Sequence, residues 1–213
     1  MSAVIAKEFL HSKNGQPQIG EEEWYRLHEV PVEERADLTY DEAYAMGITE
    51  PYELYDGRIV FKMANPTHAY YQTEFTIELG LFLRQNRSGV LFSDLNLLLF
   101  PNDRRHMRRP DLAFYLNEHL PKSDDPVAYA PDLAIEVVST NSMFLDVVEK
   151  ADLYLSKGSQ VVWIVIPAKA CVLVWKAQER SWEYQTLTCP ELLPGWSLNL
   201  AEFFAPSQPA SAQ

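Results

Sequence analysis

The sequence predicts an α/β fold in which helices flank a mixed central sheet, with an additional β-hairpin region. Three observations lead to this prediction: apolar, β-branched runs of strand length, two segments with helical spacing, and one Asp-Gly pair between β-rich runs. These elements follow one another in the order helix, strands, helix, strand, which favours a single sheet covered by helices.

Composition sets the size and the chemical class of the protein. The chain has 213 residues, of which 47 % are hydrophobic and 12 % aromatic, so one large domain with a sizeable core is expected. A net charge of −12 argues against a broad electropositive surface for tight, nonspecific nucleic-acid binding, but the local charge around a site matters more than the sum. The two cysteines, Cys171 and Cys189, give neither a disulfide framework nor a zinc pattern.

The chain carries no sequence signal for a membrane or for secretion. No apolar run reaches transmembrane length, and Met1 to Leu10 lacks the apolar region of a signal peptide, so a cytoplasmic protein without a membrane partner is expected. Residues 1–37 are expected to be an extension that is partly disordered or forms a short helix over Glu21 to Val30. Residues 38–205 form the predicted domain, and residues 206–213 form a flexible tail.

Local signals predict the first elements of the domain. Thr39 followed three residues later by Glu42 matches a capping box, so a helix is expected to begin there. The runs Tyr52 to Tyr55 and Arg58 to Phe61 flank Asp56-Gly57, and this arrangement is typical of a β-hairpin with a tight turn.

Apolar spacing predicts a long amphipathic helix over Pro66 to Arg87, because its apolar residues recur at helical intervals: Tyr71, Phe75, Leu79 and Phe82. Three strand-like runs follow, over Val90 to Ser93, Leu95 to Phe100 and Pro110 to Leu116. The polar, proline-bearing stretch from Asn117 to Pro131 predicts a loop.

The last third of the chain predicts the centre of the sheet and a final hairpin. An apolar strand over Asp132 to Ser139 is followed by a helix over Met143 to Lys157, which ends at Gly158. The fully apolar run Val161 to Ile166 is typical of a central strand. A terminal hairpin is expected from two β-rich runs: Ala170 to Trp175 and Trp182 to Leu187.

Two acids occupy positions where apolar residues are expected. Glu136 lies inside the apolar run Leu133 to Val138, and Asp111 opens the strand-like run Asp111 to Tyr115. A buried carboxylate is costly unless it is paired, hydrogen-bonded or bound to a metal. Each acid also has a simpler interpretation. Glu136 could be a buried acid paired with an arginine or a lysine, and Asp111 could be an ordinary acid at the start of a strand. Together the two acids predict a site for a hard divalent cation, which would bind phosphate and activate a water.

Three further side chains are candidates for the same chemistry. Glu53 could reach the acids, or it could face solvent on the hairpin. Lys150 borders the inward face of its predicted helix and could neutralise charge in the transition state, although a lysine there is often a surface residue with an apolar stem. His68 near a helix start is more often a capping or packing residue.

A basic run directly precedes Asp111. It comprises Arg104, Arg105, His106, Arg108 and Arg109. The run is either a solvated hairpin tip or a local contact for phosphate beside the acids.

Several motifs resemble the Uma-two family, which is classed as restriction-endonuclease-like within the PD-(D/E)XK nuclease superfamily. They occur in the family's order: Glu53 in Tyr-Glu-Leu-Tyr-Asp-Gly, His68 after Asn-Pro-Thr, Pro110-Asp111, Glu136 in Asp-Leu-Ala-Ile-Glu-Val-Val-Ser, Lys150, and Val162-Trp-Ile-Val-Ile-Pro. The resemblance covers about Leu38 to Phe204. It implies a mixed sheet of four to five strands with flanking helices, a Mg²⁺ or Mn²⁺ cofactor and hydrolysis of phosphodiester bonds.

The resemblance also implies the roles of single residues. Asp111 and Glu136, together with Val137, are expected to bind the metal, Lys150 is the expected catalytic lysine, and Glu53 is the acid on the first helix–hairpin part. His68 is expected to contact an acid or a phosphate.

The sequence departs from the family pattern in three places, and it also contains a second Pro-Asp pair. The usual acid-X-Lys motif reads Glu136-Val137-Val138 here, so the lysine is expected on the next helix. Ser139-Thr140-Asn141 replaces Ser-Pro-Ser, and Ile166 replaces an Asp before the proline that ends the strand. Pro131-Asp132 is a second Pro-Asp pair, and Asp132 is interpreted as a residue that starts the Glu136 strand.

The expected function is therefore a metal-dependent endonuclease that hydrolyses DNA through a metal-activated water. The alternative is a catalytically weak or inactive protein with a nuclease fold that binds nucleic acid or acts as a regulatory module. A homodimer is expected from the family resemblance alone. A small-molecule binder is a distant third interpretation, because it would not need this set of acids.

Overall fold

The structure is a computed structural model that describes residues 31–63, 65–123, 126–139 and 144–205. Its contacts divide the chain into two compact units. The hairpin unit contains the described residues up to Met63 together with Leu98–Arg109, and the sheet unit contains the described residues of Ala64–Leu97 and Pro110–Gln213. The helix predicted over Glu21 to Val30 and the tail predicted from residue 206 lie outside the described residues.

The hairpin unit begins with a short 3₁₀ helix, Val32–Glu34, and continues with helix α1, Tyr40–Ala45. The predicted capping box is present at α1. The Glu42 N–H donates to Thr39 Oγ1 at 3.3 Å, and the Glu42 side chain accepts the Thr39 N–H at 2.9 Å. Thr39 and Glu42 are three residues apart, so this helix start needs no tertiary contact to form.

Strands β1, Tyr52–Tyr55, and β2, Arg58–Phe61, form the predicted antiparallel hairpin. Its two turn residues, Asp56 and Gly57, both have positive φ, at 50° and 79°, as the tightest hairpin turns require. A Cβ at Gly57 would lie 2.9 Å from the Ala36 carbonyl oxygen, so a side chain there would also be crowded. The Asp-Gly pair therefore satisfies both the turn geometry and the local packing.

Residues 98–109 belong to the hairpin unit because they pack on its core. Leu98 and Met107 are buried with Leu38 and Leu54, and the Met107 backbone exchanges hydrogen bonds with Leu54 at 2.9 and 3.1 Å. The strand predicted over Leu95 to Phe100 is wrong. Within the described residues this segment forms one isolated bridge, from Leu97 to Val127, and its residues from Leu98 onward belong to the hairpin unit, so the run does not continue as a strand of the sheet.

The sheet unit starts with helix α2, Pro66–Asn86. Asn65 caps this helix by accepting the His68 N–H at 2.9 Å, and Arg87 ends it in the left-handed conformation. Phe75 and Leu79 are buried as the spacing predicts. They pack on one face of the central sheet.

The described residues form a six-stranded sheet of order β3-β4-β5-β6-β7-β8. The strands are β3 Gly89–Ser93, β4 Leu112–Leu116, β5 Leu133–Val137, β6 Val161–Ile166, β7 Cys171–Trp175 and β8 Arg180–Glu183. The β5–β6 pair is parallel and the other neighbours are antiparallel. This confirms the predicted mixed sheet with flanking helices.

Helix α3, Phe144–Ser156, provides the crossover that the parallel β5–β6 pair requires. The sheet has one strand more than the four to five implied by the family resemblance, because the β7–β8 hairpin continues it. The strand predicted over Trp182 to Leu187 is wrong in extent. It is divided between β8 and β9, Thr186–Thr188, and β9 pairs with β10, Ser197–Asn199, instead of with the sheet. A short helix, α4, Leu200–Phe203, follows β10.

Cys171 and Cys189 are both free and buried. Burial raises the pKa of Cys171, and it raises the pKa of Cys189 to about 12, with the Glu191 carboxylate adding to the effect. In the described part of the chain, no helix combines the length and the apolar character needed to cross a bilayer.

Two glycines should respond to alanine in opposite directions. At Gly89 in β3, a Cβ would overlap the Tyr115 carbonyl oxygen and lie 2.7 Å from the Phe114 ring, whereas at Gly80 in α2 a Cβ would meet nothing within 4 Å. We expect Gly89→Ala to lower the free energy of unfolding by about 2 kcal/mol or more. Gly80→Ala should raise it by about 0.5–1 kcal/mol, because alanine favours a helix. Urea unfolding measures both, and equal effects of the two substitutions would contradict the β3–β4 packing.

Both thiols should be almost unreactive in the folded protein. Thiol reagents attack the thiolate, and burial disfavours that form at Cys171 and Cys189. We expect Ellman's reagent at pH 8 to modify neither cysteine within minutes in native protein and both cysteines in guanidinium chloride. Rapid native labelling of either thiol would show that the packing around β7 or β9 opens readily.

Candidate active site

Asp111 and Glu136 occupy opposite positions on neighbouring strands. In the antiparallel β4–β5 ladder Leu112 is opposite Ile135, so the register continued by one residue brings Asp111 opposite Glu136. Both side chains are buried, with 1 % and 4 % of the residue surface exposed. Two carboxylates thus lie at the end of one ladder, inside the sheet unit.

Asp111 is held by groups from two directions. Its Oδ2 accepts the Val137 backbone N–H at 2.7 Å and lies 2.9 Å from His68 Nε2. The Asp111 carbonyl oxygen accepts the Gln72 side-chain amide at 2.9 Å and the Asp94 N–H at 3.3 Å. The carboxylate and the backbone of this residue are therefore both fixed, the former by β5 and α2, and the latter by α2 and the end of β3.

His68 contacts an acid, which is one of the two partners that the family resemblance implies. The residue lies in the first turn of α2, where Asn65 caps its backbone N–H. The other ring nitrogen, Nδ1, is buried and has no hydrogen-bond partner among the described residues. The contact of the ring with Asp111 is therefore made through Nε2 alone.

Glu136 is contacted by two residues of α3, one helical turn apart. Tyr154 donates its hydroxyl to Oε1 at 2.8 Å, and Lys150 Nζ lies 3.4 Å from Oε2. Both belong to the buried face of the helix, together with Val147 and Ala151. Glu136 has two interpretations: a metal ligand with a lysine beside it, and a buried acid in an ion pair. Both predict the observed contact with Lys150, so this contact does not distinguish them.

Lys150 is not a surface lysine. Its side chain is 11 % exposed, and its ammonium group points to Glu136 instead of to water. A lysine on the helix that follows β5 can therefore contact Glu136, the acid of the acid-X-Lys position.

Glu53 lies in the hairpin unit and is 3 % exposed, so the interpretation as a solvent-facing residue is wrong. Its Oε1 accepts the Arg109 backbone N–H at 2.8 Å, and its Oε2 accepts the Tyr55 hydroxyl at 3.0 Å. Lys62 donates to the Arg109 carbonyl oxygen at 2.7 Å. Glu53 thus joins β1 to the segment that ends at Arg109.

The basic run is largely engaged with acids and with the backbone of the hairpin unit. Arg104 pairs with Asp41 at 2.7 Å, and Arg105 pairs with Asp56 and Asp103 at 3.0 and 3.1 Å. The hydrogen bond from Arg105 lowers the pKa of Asp103.

Arg108 of the same run is buried. Its guanidinium lies 3.6 Å from the centroid of the Tyr55 ring and donates to the Leu54 carbonyl oxygen. Arg108 is therefore not part of a solvated hairpin tip, and its guanidinium holds the hairpin unit together.

Asp132 has a structural task at the other end of β5. Its carboxylate accepts the Leu116 N–H at 2.8 Å and the Gln160 amide at 3.0 Å, and it lies 2.8 Å from His119 Nδ1. These bonds join the ends of β4, β5 and β6, which agrees with the interpretation of Asp132 as a strand-start residue.

The donor atoms at Asp111 and Glu136 fit a hard cation. Among the described residues, no three His, Cys, Asp or Glu side chains lie close enough together to hold a metal ion. Zinc sites use three or four protein ligands, whereas Mg²⁺ often uses one or two carboxylates and completes its shell with water and phosphate oxygens. Val137 could add only its backbone carbonyl oxygen, which is also a hard ligand. The predicted site residues therefore suit Mg²⁺ or Mn²⁺ better than zinc.

Sequence reasoning missed two residues that hold the acids. Neither Tyr154 nor Gln72 was singled out as a site residue. Each follows a predicted site residue by four positions on the same helix, Lys150 on α3 and His68 on α2. That spacing places two side chains on one helix face and is the signal that could have found them.

By fold, the protein is a mixed α/β protein, and it has two buried carboxylates, Asp111 and Glu136, at one end of the β4–β5 ladder. The chain belongs to the Uma2 family, whose model carries the description "Putative restriction endonuclease" and matches residues 39–207. No curated protein matches the chain significantly in sequence.

Two solved structures resemble the chain to different degrees. A crystal structure from Anabaena variabilis ATCC 29413, described as "a putative nuclease belonging to DUF820", has a TM-score of 0.68 and 21 % sequence identity, over 79 % of this chain and 98 % of that one. It shares the fold. A cryo-EM structure of a DrdV–DNA complex has a TM-score of 0.33 and 9 % identity, over 64 % of this chain and 12 % of that one.

Removal of the Lys150 charge should destabilise the folded protein even without metal. Lys150→Met leaves the Glu136 carboxylate buried beside an apolar side chain, and breaking a buried ion pair in this way costs about 3 kcal/mol. Lys169→Met, at an exposed lysine of the same unit, should change the free energy of unfolding by less than about 0.5 kcal/mol. Urea unfolding in EDTA measures both variants. Similar small losses would mean that Glu136 does not depend on Lys150.

Proposed function

We propose that the protein is a Mg²⁺- or Mn²⁺-dependent endonuclease that hydrolyses phosphodiester bonds of DNA, with water as the nucleophile. The observation that carries the proposal is the pair of buried acids, Asp111 and Glu136, opposite each other at the end of the β4–β5 ladder, with Lys150 beside Glu136. Membership of a family described as restriction endonucleases supports DNA as the substrate.

Asp111, Glu136 and the Val137 carbonyl oxygen are the proposed ligands of the cation. When bound, a divalent cation supplies charge neutralisation at the scissile phosphate and a water nucleophile near neutral pH. The residues around the ligands keep the two acids in place. The Val137 N–H and His68 hold Asp111 by Oδ2, so the carboxylate cannot turn freely.

Lys150 is the proposed cationic group of the reaction. Its ammonium carries three donors on a flexible stem, so it can stay near Glu136 and still donate to a phosphate oxygen or to the attacking water. A positive charge placed where negative charge develops stabilises the transition state. We also propose Glu53 as an acid of the active site, on the basis of its burial and the family resemblance.

The proposal predicts metal-dependent cleavage that requires Asp111. With Mg²⁺ or Mn²⁺, the wild-type protein should nick or linearise supercoiled plasmid, and EDTA should stop the reaction. Asp111→Asn keeps the size of the side chain and removes its charge, so we expect the cleavage rate to fall about 100-fold or more. Cleavage is measured on agarose gels over time, on plasmid and on single-stranded DNA.

Asp132→Asn is the matched control. Asp132 is also a buried acid next to β5, but it lies at the opposite end of the strand and holds backbone and side-chain donors there. If Asp111→Asn lost activity only through a weaker fold, Asp132→Asn would lose it as well. Absence of cleavage by wild type with either metal, or full cleavage by Asp111→Asn, would contradict the proposal. DNA binding without cleavage would favour the alternative of a binding or regulatory module.

A further inference from the structure

The two oxygens of Glu136 have different partners. Oε1 accepts a short hydrogen bond from the Tyr154 hydroxyl, at 2.8 Å, whereas Oε2 faces Lys150 Nζ at a looser 3.4 Å. One side of the carboxylate is therefore bound more tightly than the other.

Tyr154 is built to hold a fixed position. Its side chain is fully buried and has few rotatable bonds, and its carbonyl oxygen accepts the N–H groups of Lys157 and Ser159 at 3.1 and 3.0 Å, where α3 ends. Gly158, with φ at 109°, makes the tight exit from the helix possible. A rigid ring on a secured helix end orients its hydroxyl better than a lysine, whose long stem has many rotamers.

We propose that Tyr154 is a positioning residue, which anchors Glu136 by Oε1 and so keeps Oε2 oriented toward Lys150 and the proposed cation. The part of this inference that concerns the cation rests on the proposed function. The part that concerns the anchor does not, because the Tyr154–Glu136 hydrogen bond joins two side chains of the protein itself.

The anchor has a consequence for the competition between Lys150 and the cation. Lys150 and the proposed cation are both positively charged, and both would bind the Glu136 carboxylate. Without the Tyr154 hydroxyl, the carboxylate loses one of the contacts that set its orientation, and a rotated carboxylate can form a closer ion pair with Lys150. The hydroxyl thus limits how strongly the lysine can occupy the acid.

Tyr154→Phe tests the consequence, because it removes the hydroxyl alone. Residues that orient metal ligands typically change metal affinity by about 10–100-fold, so we expect the dissociation constant for Mn²⁺ to rise about 10-fold or more. Isothermal titration calorimetry or the electron paramagnetic resonance signal of free Mn²⁺ measures it. The cleavage rate at low Mn²⁺ should fall and should recover when Mn²⁺ is raised, which a merely weakened fold would not do.

Tyr115→Phe is the matched control. Tyr115 is also a fully buried tyrosine of the sheet unit, and its hydroxyl donates to the Tyr129 carbonyl oxygen at 3.2 Å. This variant should lose stability and keep the wild-type affinity for Mn²⁺. An equal loss of affinity in both tyrosine variants would overturn the inference.

A second experiment, in EDTA, tests the anchor itself. In protein with Glu136, Tyr154→Phe should lower Tm by about 4–8 °C, since a hydrogen bond to a charged group is lost. In a Glu136→Met background the same change should lower Tm much less, because the hydroxyl no longer has the carboxylate as its acceptor. Equal losses in the two backgrounds would overturn the inference.

The outcomes separate this inference from the proposed function. Wild type that binds Mn²⁺ and cleaves DNA, together with a Tyr154→Phe variant of unchanged affinity, overturns the role of Tyr154 and leaves the proposed function standing. Wild type that neither binds Mn²⁺ nor cleaves overturns the proposed function and the cation part of the inference. The Tm comparison in EDTA then decides the anchor.

Discussion

A negative charge inside an apolar sheet must be stabilised by partners within the protein, and the rest of the sheet unit is arranged around this requirement at Glu136. The residue lies in β5, a strand whose five residues are all buried, so water cannot solvate the carboxylate adequately. Tyr154 and Lys150 meet the demand from the buried face of α3. Hydrogen bonds to charged groups contribute about 1.5–3 kcal/mol each, which offsets part of the cost of burial. The parallel β5–β6 pair makes this possible, because it requires a crossover and α3 is that crossover.

The end of the β4–β5 ladder explains why the second acid is found at Asp111. Leu112 and Ile135 are the last paired residues in this direction, and beyond them backbone N–H groups need new acceptors. Asp111 supplies one, because its Oδ2 accepts the Val137 N–H. The same carboxylate lies against His68 at the start of α2, so one acid connects the sheet to the helix whose Phe75 and Leu79 pack on that sheet. The feature that ends the ladder is also the feature that brings two acids together.

Local signals predicted the parts of the fold that depend on neighbouring residues. The Asp56-Gly57 turn and the Thr39–Glu42 capping box are each complete within a few residues, so the sequence alone suffices to find them. The run Leu95 to Phe100 is as apolar as the runs that do form strands. Among the described residues it pairs only at Leu97, because strand pairing depends on partners distant in sequence. The same limit applies to Trp182 to Leu187, where the chain changes partner between β8 and β9. In the site, buried acids are visible as charges in apolar runs, whereas the hydroxyl of Tyr154 gives no such signal, because a tyrosine in an apolar helix face is an ordinary core residue.

The net negative charge of the protein makes the binding of phosphate at the site depend on a few positive groups, namely Lys150 and the proposed metal ion. The chain carries a net charge of −12, and the arginines of the basic run at positions 104 and 105 are paired with acids of the hairpin unit. They therefore add little net positive charge for a phosphate backbone, and nonspecific attraction of DNA by the protein surface is weak. Under the proposed function, the phosphate would be bound at the site itself, by Lys150 and by a cation that Asp111 and Glu136 would hold. It follows that DNA affinity and catalysis should depend on the same metal, because without it the DNA faces two carboxylates and one lysine that is already paired.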